Sequence, residues 1–252
     1  MGTAVTAAFG PLAAQFHDAS NPRASGDELA VFMRHLGADV SLALDVMCGT
    51  GRVLIPCLEQ GAKVHGVDQS AAMLARCEGN LAVAAQTAPL FRQDVAQLNV
   101  PFRYGCAFVA GGALSLITDP TALHAALERI RAHLVPPGRL LIDCRVPGSA
   151  QQRLAAPLVE VTTAKLGDGS QIVRRSETTW TAEAKLVRAQ HRYTHRRGTQ
   201  RIAEEHEAIR ATWHERDDIA DLVRAAGYRD IAFESWPAAI VDGDAFVLTA
   251  RV

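Results

Sequence analysis

Short apolar segments alternate with helix-forming segments between residues 41 and 143, and this alternation constrains the fold more than any other feature of the chain. Buried strands that are joined through helices pair in parallel, and the helices then cover both faces of the sheet. The sequence therefore predicts an α/β fold with a doubly wound sheet. The predicted strands are 41–46, 63–67, 90–92, 106–110 and 139–143, and the predicted helices between them are 52–60, 70–79 and 120–134.

The pattern changes after Pro147-Gly148. Residues 157–214 are rich in β-branched residues and contain turn signals at Gly167-Asp168-Gly169 and Gly198, which is typical of an antiparallel meander. Two helices are predicted before the sheet, at 7–18 and 26–36, and a helix at 215–226 and strands at 231–235 and 245–250 follow the meander. We therefore expect a helical cap (1–37), an α/β domain (38–148 and 215–252) and an antiparallel insertion (149–214) that forms a lid.

The overall composition excludes several classes of protein. Hydrophobic residues make up 48% of the 252 residues, so the chain can form a packed core and is not disordered. The 26 basic and 27 acidic residues nearly cancel, which argues against nucleic acid as the main partner. No apolar run approaches the roughly 20 residues that cross a membrane, and no signal peptide is predicted. We expect a cytoplasmic monomer or homodimer that contacts neither nucleic acid nor membrane.

The cysteines indicate a reduced protein without a metal site. They are widely spaced, stand in apolar surroundings and form none of the close pairs that a zinc site uses. We therefore expect small core residues and no bound metal. The five cysteines are Cys48, Cys57, Cys77, Cys106 and Cys144.

The segment 42–52 predicts a ligand site, because it combines a buried strand, a glycine turn and the start of a helix. Gly49 and Gly51 let the backbone approach a ligand closely, and the helix start directs free N–H groups at the same point. Asp68 ends the second strand, where a carboxylate can accept both hydroxyls of a ribose. Asp94 ends the third strand, where it can accept from the amino group of adenine. Together these residues describe a pocket for an adenosine group.

The kind of adenosine ligand follows from two further residues. A dinucleotide site requires a third glycine in this turn, and the sequence has Leu54 there. Asp45, directly before the turn, would repel a pyrophosphate but suits a ligand that carries a sulfonium and an ammonium. A nicotinamide-dependent dehydrogenase is thus the less favoured alternative.

The segment Asp45–Gly51 resembles the first motif of the class I S-adenosylmethionine-dependent methyltransferases, and Val135–Leu140 resembles the entry to the fifth strand in that family. Met47 replaces the first glycine of the family motif. The resemblance implies a Rossmann-like methyltransferase fold with a mixed seven-stranded sheet, and S-adenosyl-L-methionine as the cofactor. The cofactor-binding residues that it implies are Phe16, Asp45, Met47, Cys48, Gly49, Thr50, Gly51, Asp68, Gln69, Asp94, Val95 and Ala110.

The insertion shows a finer likeness. It is similar to the β-meander of glycine and sugar N-methyltransferases, some of which contain Glu-Glu-His-Glu, then an aromatic residue and an acidic helix start. Glu204-Glu205-His206-Glu207, Trp213 and Asp217-Asp218 fit this pattern. The N-terminal Tyr-Asp of these enzymes would fall at Phe16-His17, where we expect Phe16 to contact the cofactor and His17 to have no role.

The acceptor is predicted to be a small molecule. The segment Ala110–Ser115 lacks the proline, amide and aromatic residues with which nucleic-acid amino-methyltransferases grip a flipped base. Its glycines leave room for a planar or bulky acceptor, and aromatic, histidine and acidic side chains from the insertion could together hold a planar polar molecule. The predicted substrate-binding residues are Gly111, Gly112, Trp180, His206, Arg210 and Trp213.

His206 is the predicted catalytic residue, acting as a hydrogen-bond donor that orients the acceptor more than as a base. The function predicted from the sequence is methyl transfer to nitrogen or oxygen of a small, planar metabolite or natural product. An amine needs no strong base, whereas a hydroxyl acceptor usually does, and His206, His191 or Glu204 could supply it. The main alternative is a non-catalytic module that binds the cofactor as a sensor or assembly subunit.

Overall fold

The strands of the chain form two separate sheets. A computed structural model describes residues 9–37, 40–148, 152–236 and 244–252. The strands are β1 (Ala43–Val46), β2 (Val64–Asp68), β3 (Leu90–Arg92), β4 (Tyr104–Val109), β5 (Leu134–Val146), β6 (Leu158–Lys165), β7 (Gln171–Thr181), β8 (Leu186–Arg197), β9 (Gln200–Thr212), β10 (Arg229–Ser235) and β11 (Asp244–Arg251). The main sheet has seven strands in the order β3-β2-β1-β4-β5-β11-β10, and β6 to β9 form a four-stranded sheet of their own.

The main sheet is mixed. Strands β1 to β5 pair in parallel, and β11 pairs antiparallel with both β5 and β10. All four residues of β1 are buried because hydrophobic clusters cover both faces of the sheet. Because both faces are buried, the central strands appear in the sequence as short continuous runs of apolar residues. The predicted doubly wound fold is confirmed.

Helices flank the main sheet, and their ends follow local sequence signals. Asp119 accepts hydrogen bonds from the amides of Thr121 and Ala122 at the start of one helix, and Ser70 accepts from Met73 at the start of another. The helices are α1 (Pro11–Ser20), α2 (Gly26–His35), α3 (Leu54–Glu59), α4 (Ala71–Val83), α5 (Pro120–Ala132) and α6 (Arg216–Ala225). No helix in the described ranges is long and apolar enough to cross a membrane.

Several predicted boundaries are wrong. Strand β5 begins at Leu134 and not at residue 139, because Leu134 already pairs with Tyr104 of β4, and after a register shift Arg139 pairs with Cys106. Helix α4 continues to Val83, well beyond the predicted end at residue 79, because Gly79 lies within the helix without ending it. The predicted helix start at residue 7 lies outside the described residues, and α1 begins at Pro11.

The sheet of β6 to β9, which we call the lid sheet, is antiparallel throughout. Its inner face packs against α1 through a small apolar cluster that contains Phe16, Ile172 and Tyr193. Strand β9 also lies against the short 3-10 turn Ala113–Leu116 that follows β4. Helix α1 and the lid sheet therefore stand together above one edge of the main sheet.

Candidate functional site

A cavity of about 620 Å³ opens at the carboxyl ends of β1 to β4, which is where ligands bind in doubly wound folds. Its volume lies within the roughly 300–1,000 Å³ that is usual for small-molecule sites. Its walls come from the glycine turn, the ends of β2 and β3, the loop after β4, α1 and β9. The residues predicted to bind ligand that line it are Asp45, Met47, Cys48, Gly49, Asp68, Gln69, Asp94, Val95, Ala110, Gly111, Gly112 and Arg210.

The two glycines of the turn have different surroundings. Gly49 has φ +56° and lines the cavity, and a Cβ atom there would meet only the Met73 sulfur at 3.9 Å. Gly51 has φ +84°, and a Cβ atom there would lie 2.8 Å from the Cys77 sulfur and 3.0 Å from Ile55. Gly51 thus allows close packing behind the turn. Both Gly51 and Thr50 are predicted from the sequence to bind the cofactor, but neither lines the cavity, and Thr50 is buried.

Met47 adopts a left-handed backbone conformation, with φ 59°. Such a conformation costs a residue with a side chain roughly 1–2 kcal/mol. The Met47 side chain lines the cavity and packs against the core of the main sheet, so this contact offsets part of the cost.

Asp68 connects the end of β2 to the glycine turn. Its carboxylate accepts hydrogen bonds from the amides of Gly49 at 3.0 Å and Ser70 at 2.8 Å. Burial raises the pKa of Asp68, and these hydrogen bonds oppose the rise. Each oxygen keeps a second lone pair, so the carboxylate can still accept from two hydroxyls.

Asp94 has a similar position at the end of β3. Its Oδ1 accepts from the amide of Ala96 at 3.0 Å and caps the short turn Val95–Gln97. The side chain also lines the cavity, which leaves Oδ2 available to a ligand amino group. Gln93, a residue that was not predicted, lines the same end of the cavity.

A buried group of charges lies at the other end of the cavity. Asp45 is only 2% exposed, and burial raises its pKa well above the usual range, while the nearby Arg52 opposes the rise. Arg52 lines the cavity and binds both oxygens of Glu28 on α2, with Nη1 to Oε2 at 2.9 Å. The position of Arg52 directly after Gly51 could have identified it as a site residue from the sequence. No sequence pattern, however, pairs Arg52 with Glu28.

Helix α1 contributes His17 to the cavity, and not Phe16 as predicted. Successive residues of a helix point about 100° apart, so these neighbours face different surroundings. Phe16 is 2% exposed and packs against Tyr193, with ring centroids 5.5 Å apart. Burial, followed by the positive charge of Arg52, lowers the pKa of His17, so its imidazole is neutral near pH 7.

The structure places the predicted catalytic residue away from the cavity. The His206 side chain is 68% exposed and lies 3.2 Å from Glu204 on the outer face of the lid sheet. A strand alternates its side chains, and from residue 203 to residue 209 the odd-numbered residues of β9 are the more buried ones. Farther along the strand, the even-numbered Arg210 reaches the cavity although it is exposed. Trp180 and Trp213 also lie outside the cavity lining, with Trp213 buried to 3% exposure. Arg210, from the predicted substrate-binding set of the insertion, does line the cavity.

The two residues of the segment Glu204–Glu207 that face inward make hydrogen bonds with other parts of the protein. Glu205 accepts hydrogen bonds from the amides of Leu12 at 2.9 Å and Ala13 at 3.1 Å, and so caps α1. Glu207 accepts from the Tyr193 hydroxyl at 3.0 Å. The alternation of β9 could have identified this pair, but the sequence did not show which face points inward.

Two further observations concern metals and thiols. No group of three or more His, Cys, Asp or Glu side chains in the described part of the chain is arranged as metal ligands. All five cysteines are buried with free thiols.

Comparisons with known proteins match part of the main sheet to a protein family. Residues 43–138 match the methyltransferase domain family. The chain is 27% identical over 168 residues to the dTDP-3-amino-3,6-dideoxy-alpha-D-glucopyranose N,N-dimethyltransferase of Streptomyces fradiae. That alignment covers 66% of this chain and spans 61% of the length of the relative.

Solved structures share the fold at low sequence identity. The CcbJ methyltransferase from Streptomyces caelestis has a TM-score of 0.73 and 22% identity, over 98% of this chain and 99% of that one. The amino pentose methyltransferase CalS10 from Micromonospora echinaspora, solved with S-adenosylmethionine bound, has a TM-score of 0.65 and 21% identity, over 90% and 91%. These structures confirm the predicted fold, and the match of residues 43–138 to the methyltransferase domain family confirms the resemblance predicted from the sequence.

Proposed function

We propose that this chain, whose residues 43–138 match the methyltransferase domain family, is an S-adenosylmethionine-dependent methyltransferase that transfers a methyl group to a small-molecule acceptor. The observation that carries the proposal is the cavity in which Gly49, Asp68 and Asp94 lie together. Its two acids face a common space from the ends of neighbouring strands, as an adenosine group requires.

The residues around the cavity fit the cofactor. Asp68 would accept from the ribose hydroxyls, and Asp94 from the amino group of adenine. Gly49 leaves open space in front of the turn. Asp45, buried beside the cavity, would offset the positive charge of the methionine portion. When bound, the cofactor supplies an electrophilic methyl group, and the chain aligns the acceptor with it.

The acceptor would enter beside the loop 110–112, whose glycines at positions 111 and 112 have φ +67° and +68°. We propose an amine of a sugar or a natural product as the acceptor. The relative from Streptomyces fradiae is named as an amino-sugar N,N-dimethyltransferase, and CalS10 as an amino pentose methyltransferase. His206 is no longer proposed as catalytic, because its side chain lies on the outer face of the lid sheet.

Calorimetry tests cofactor binding. The protein should bind S-adenosylmethionine and S-adenosylhomocysteine but not NAD. Loss of the charged hydrogen bonds of Asp68 removes ~1.5–3 kcal/mol, so Asp68→Ala should weaken binding about tenfold to a hundredfold. Glu78→Ala, which changes an exposed acid on α4, is the matched control. Equal affinity in the Asp68→Ala protein would refute the assignment of this site.

Mass spectrometry then tests turnover. Mixtures of amino sugars, their hydroxyl counterparts and planar aromatic amines are incubated with the protein and S-adenosylmethionine. We expect a mass gain of one methyl group on an amine, with release of S-adenosylhomocysteine. Tight cofactor binding without any transfer would favour a sensor or assembly role.

A further inference from the structure

The inner face of the lid sheet carries buried and half-buried polar side chains from three adjacent strands. They are Arg174 on β7, His191 and Tyr193 on β8, and Glu207 on β9. The register pairs Arg174 with Tyr193 and His191 with Glu207, so the four form one compact patch. Glu207 is only 8% exposed, which is unusual for a carboxylate on a strand.

This patch contains polar atoms that no described residue satisfies. Glu207 Oε2 accepts from Tyr193, but buried Oε1 has no hydrogen-bond partner. The buried Nε of Arg174 and Nδ1 of His191 also have none among the described residues. Buried polar groups in folded proteins are almost always paired, so three unpaired atoms in one patch point to a bound molecule.

The four residues of the patch do not line the cavity themselves, but Arg174 lies near His17, which does. His17 lines the cavity, and its buried Nδ1 likewise has no partner in the described part of the chain. The charge of Arg174 acts on His17, His191, Tyr193 and Glu207 alike, so the guanidinium lies near all four. A molecule that reaches from His17 toward Glu207 would extend from the cavity onto the lid sheet.

We propose that this patch is the recognition site for the amino group of the acceptor, with Glu207 as the residue that receives it. The inference rests on the proposed function and adds the residue that selects an amine. A carboxylate oxygen can only accept hydrogen bonds, and a protonated amine both donates and supplies the opposite charge. The N–H groups of Arg174 and His191 would donate to hydroxyl oxygens beside the amine, as in an amino sugar.

The protonation of Glu207 fits this role. Burial raises its pKa to about 7, the Tyr193 hydrogen bond and Arg174 lower it, and Glu205 adds to the rise. Burial and Arg174 lower the pKa of His191 to about 4, so this imidazole is neutral at pH 7. An arriving ammonium can donate to the ionised Glu207 carboxylate and pass one proton to it, which leaves a neutral amine with a lone pair for the methyl group and a protonated Glu207.

The test uses the full chain saturated with S-adenosylhomocysteine. Three probes, D-glucosamine, N-acetyl-D-glucosamine and D-glucose, are titrated and their dissociation constants are measured by NMR. We expect D-glucosamine to bind more tightly than the other two by at least tenfold. Glu207→Gln should abolish this preference, because the amide keeps the shape of the side chain but not its charge. Glu204→Gln, on the outer face of the same strand, should leave it unchanged within twofold.

The outcomes separate the two proposals. Loss of cofactor binding in the wild-type protein would overturn the proposed function itself. Retained cofactor binding with no preference for D-glucosamine, or with the same preference in Glu207→Gln, would overturn only the amine site. If Glu207→Gln does not fold, Tyr193→Phe replaces it. That variant keeps the ring packed on Phe16, removes the hydroxyl that orients Glu207, and should weaken D-glucosamine binding about threefold to tenfold.

Discussion

Individual residues of the glycine turn divide between the cavity and the core behind it. Gly49 faces the cavity, whereas Gly51 lies against Cys77 and Ile55 of the helices that follow. Both positions hold glycine and both adopt positive φ, so neither the sequence nor the backbone conformation distinguishes their roles. The difference becomes visible only in what a Cβ atom would contact.

Alanine at these two positions should therefore have different effects. Gly51→Ala inserts a methyl group into a packed region, and such overpacking costs about 1–3 kcal/mol in addition to the backbone strain. Gly49→Ala has open space, so its cost should be close to the ~1–2 kcal/mol of the left-handed conformation, but its methyl group enters the cavity. Urea unfolding should show the larger loss for Gly51→Ala. Calorimetry on folded protein should show weaker cofactor binding for Gly49→Ala, and the reverse ranking in both assays would contradict this division.

The charge of Asp45 leads to a prediction on pH. Its folded pKa is raised, so the stability that it contributes is present at low pH and is lost as the pH rises through that pKa. A cationic ligand favours the ionised carboxylate, and affinity for S-adenosylmethionine should therefore increase with pH across the same range. S-adenosylhomocysteine lacks the sulfonium charge and should show a smaller increase. Asp45→Asn should flatten both profiles in calorimetry, and an unchanged slope would assign the titration to another group.

At the scale of elements, helix α1 joins the lid sheet to the glycine turn. On the lid side, Glu205 caps its first amides. On the other side, Asp18 accepts from Asn80 Nδ2 at 2.6 Å, and Asn80 also donates to the Thr50 carbonyl in the turn at 3.1 Å. Helix α1 is thus held at both ends while His17 lines the cavity.

Removal of the cap from Glu205 should loosen this helix. Glu205→Ala leaves two helix-start amides without their acceptor, so we expect a loss of about 1–3 kcal/mol in the free energy of unfolding. Hydrogen exchange of the Leu12 and Ala13 amides should accelerate in the same protein. Glu204→Ala is the control, since Glu204 lies on the outer face of the lid sheet. Equal protection of α1 in both variants would show that Glu205 is not its main anchor.

The sequence could predict the order of the elements because burial of a parallel strand imposes a continuous apolar run. It also predicted that Gly49, Asp68 and Asp94 would lie together, since each follows a strand end, and all three line the cavity. It could not predict which face of β9 points inward, because Glu204-Glu205-His206-Glu207 is polar on both faces. That choice depends on packing against α1, which is distant in the chain. His17 was missed for the same reason, because its neighbour Phe16 carries the apolar signal of the helix.

At the scale of the whole molecule, the cavity combines parts of different origin. The region that matches the methyltransferase domain family, residues 43–138, supplies the glycine turn and both acids. His17 and Arg210 come from outside it, on α1 and β9. The glycine turn and both acids therefore lie in the matched segment, whereas part of the cover of the cavity comes from outside it.

Arg210 should consequently affect the acceptor more than the cofactor. Arg210→Gln removes a charge from the cavity wall that β9 supplies, so we expect the KM for the acceptor to change at least several-fold while cofactor affinity stays within twofold. Arg201→Gln, which alters an exposed arginine bound to Glu204 on the same strand, is the control. Steady-state kinetics and calorimetry on the same preparations check both quantities. A parallel loss of cofactor affinity would place Arg210 in the cofactor site.

The cap on α1 also has a consequence for how such chains can diverge. A Cβ atom at Gly10 would lie only 2.6 Å from the Glu205 carboxylate. The position of this carboxylate therefore requires glycine at position 10. A substitution at either position alone breaks the contact, whereas a paired substitution can restore it. We therefore expect positions 10 and 205 to coevolve among relatives. New acceptor specificities should then arise through joint inheritance of the first helix and the lid sheet.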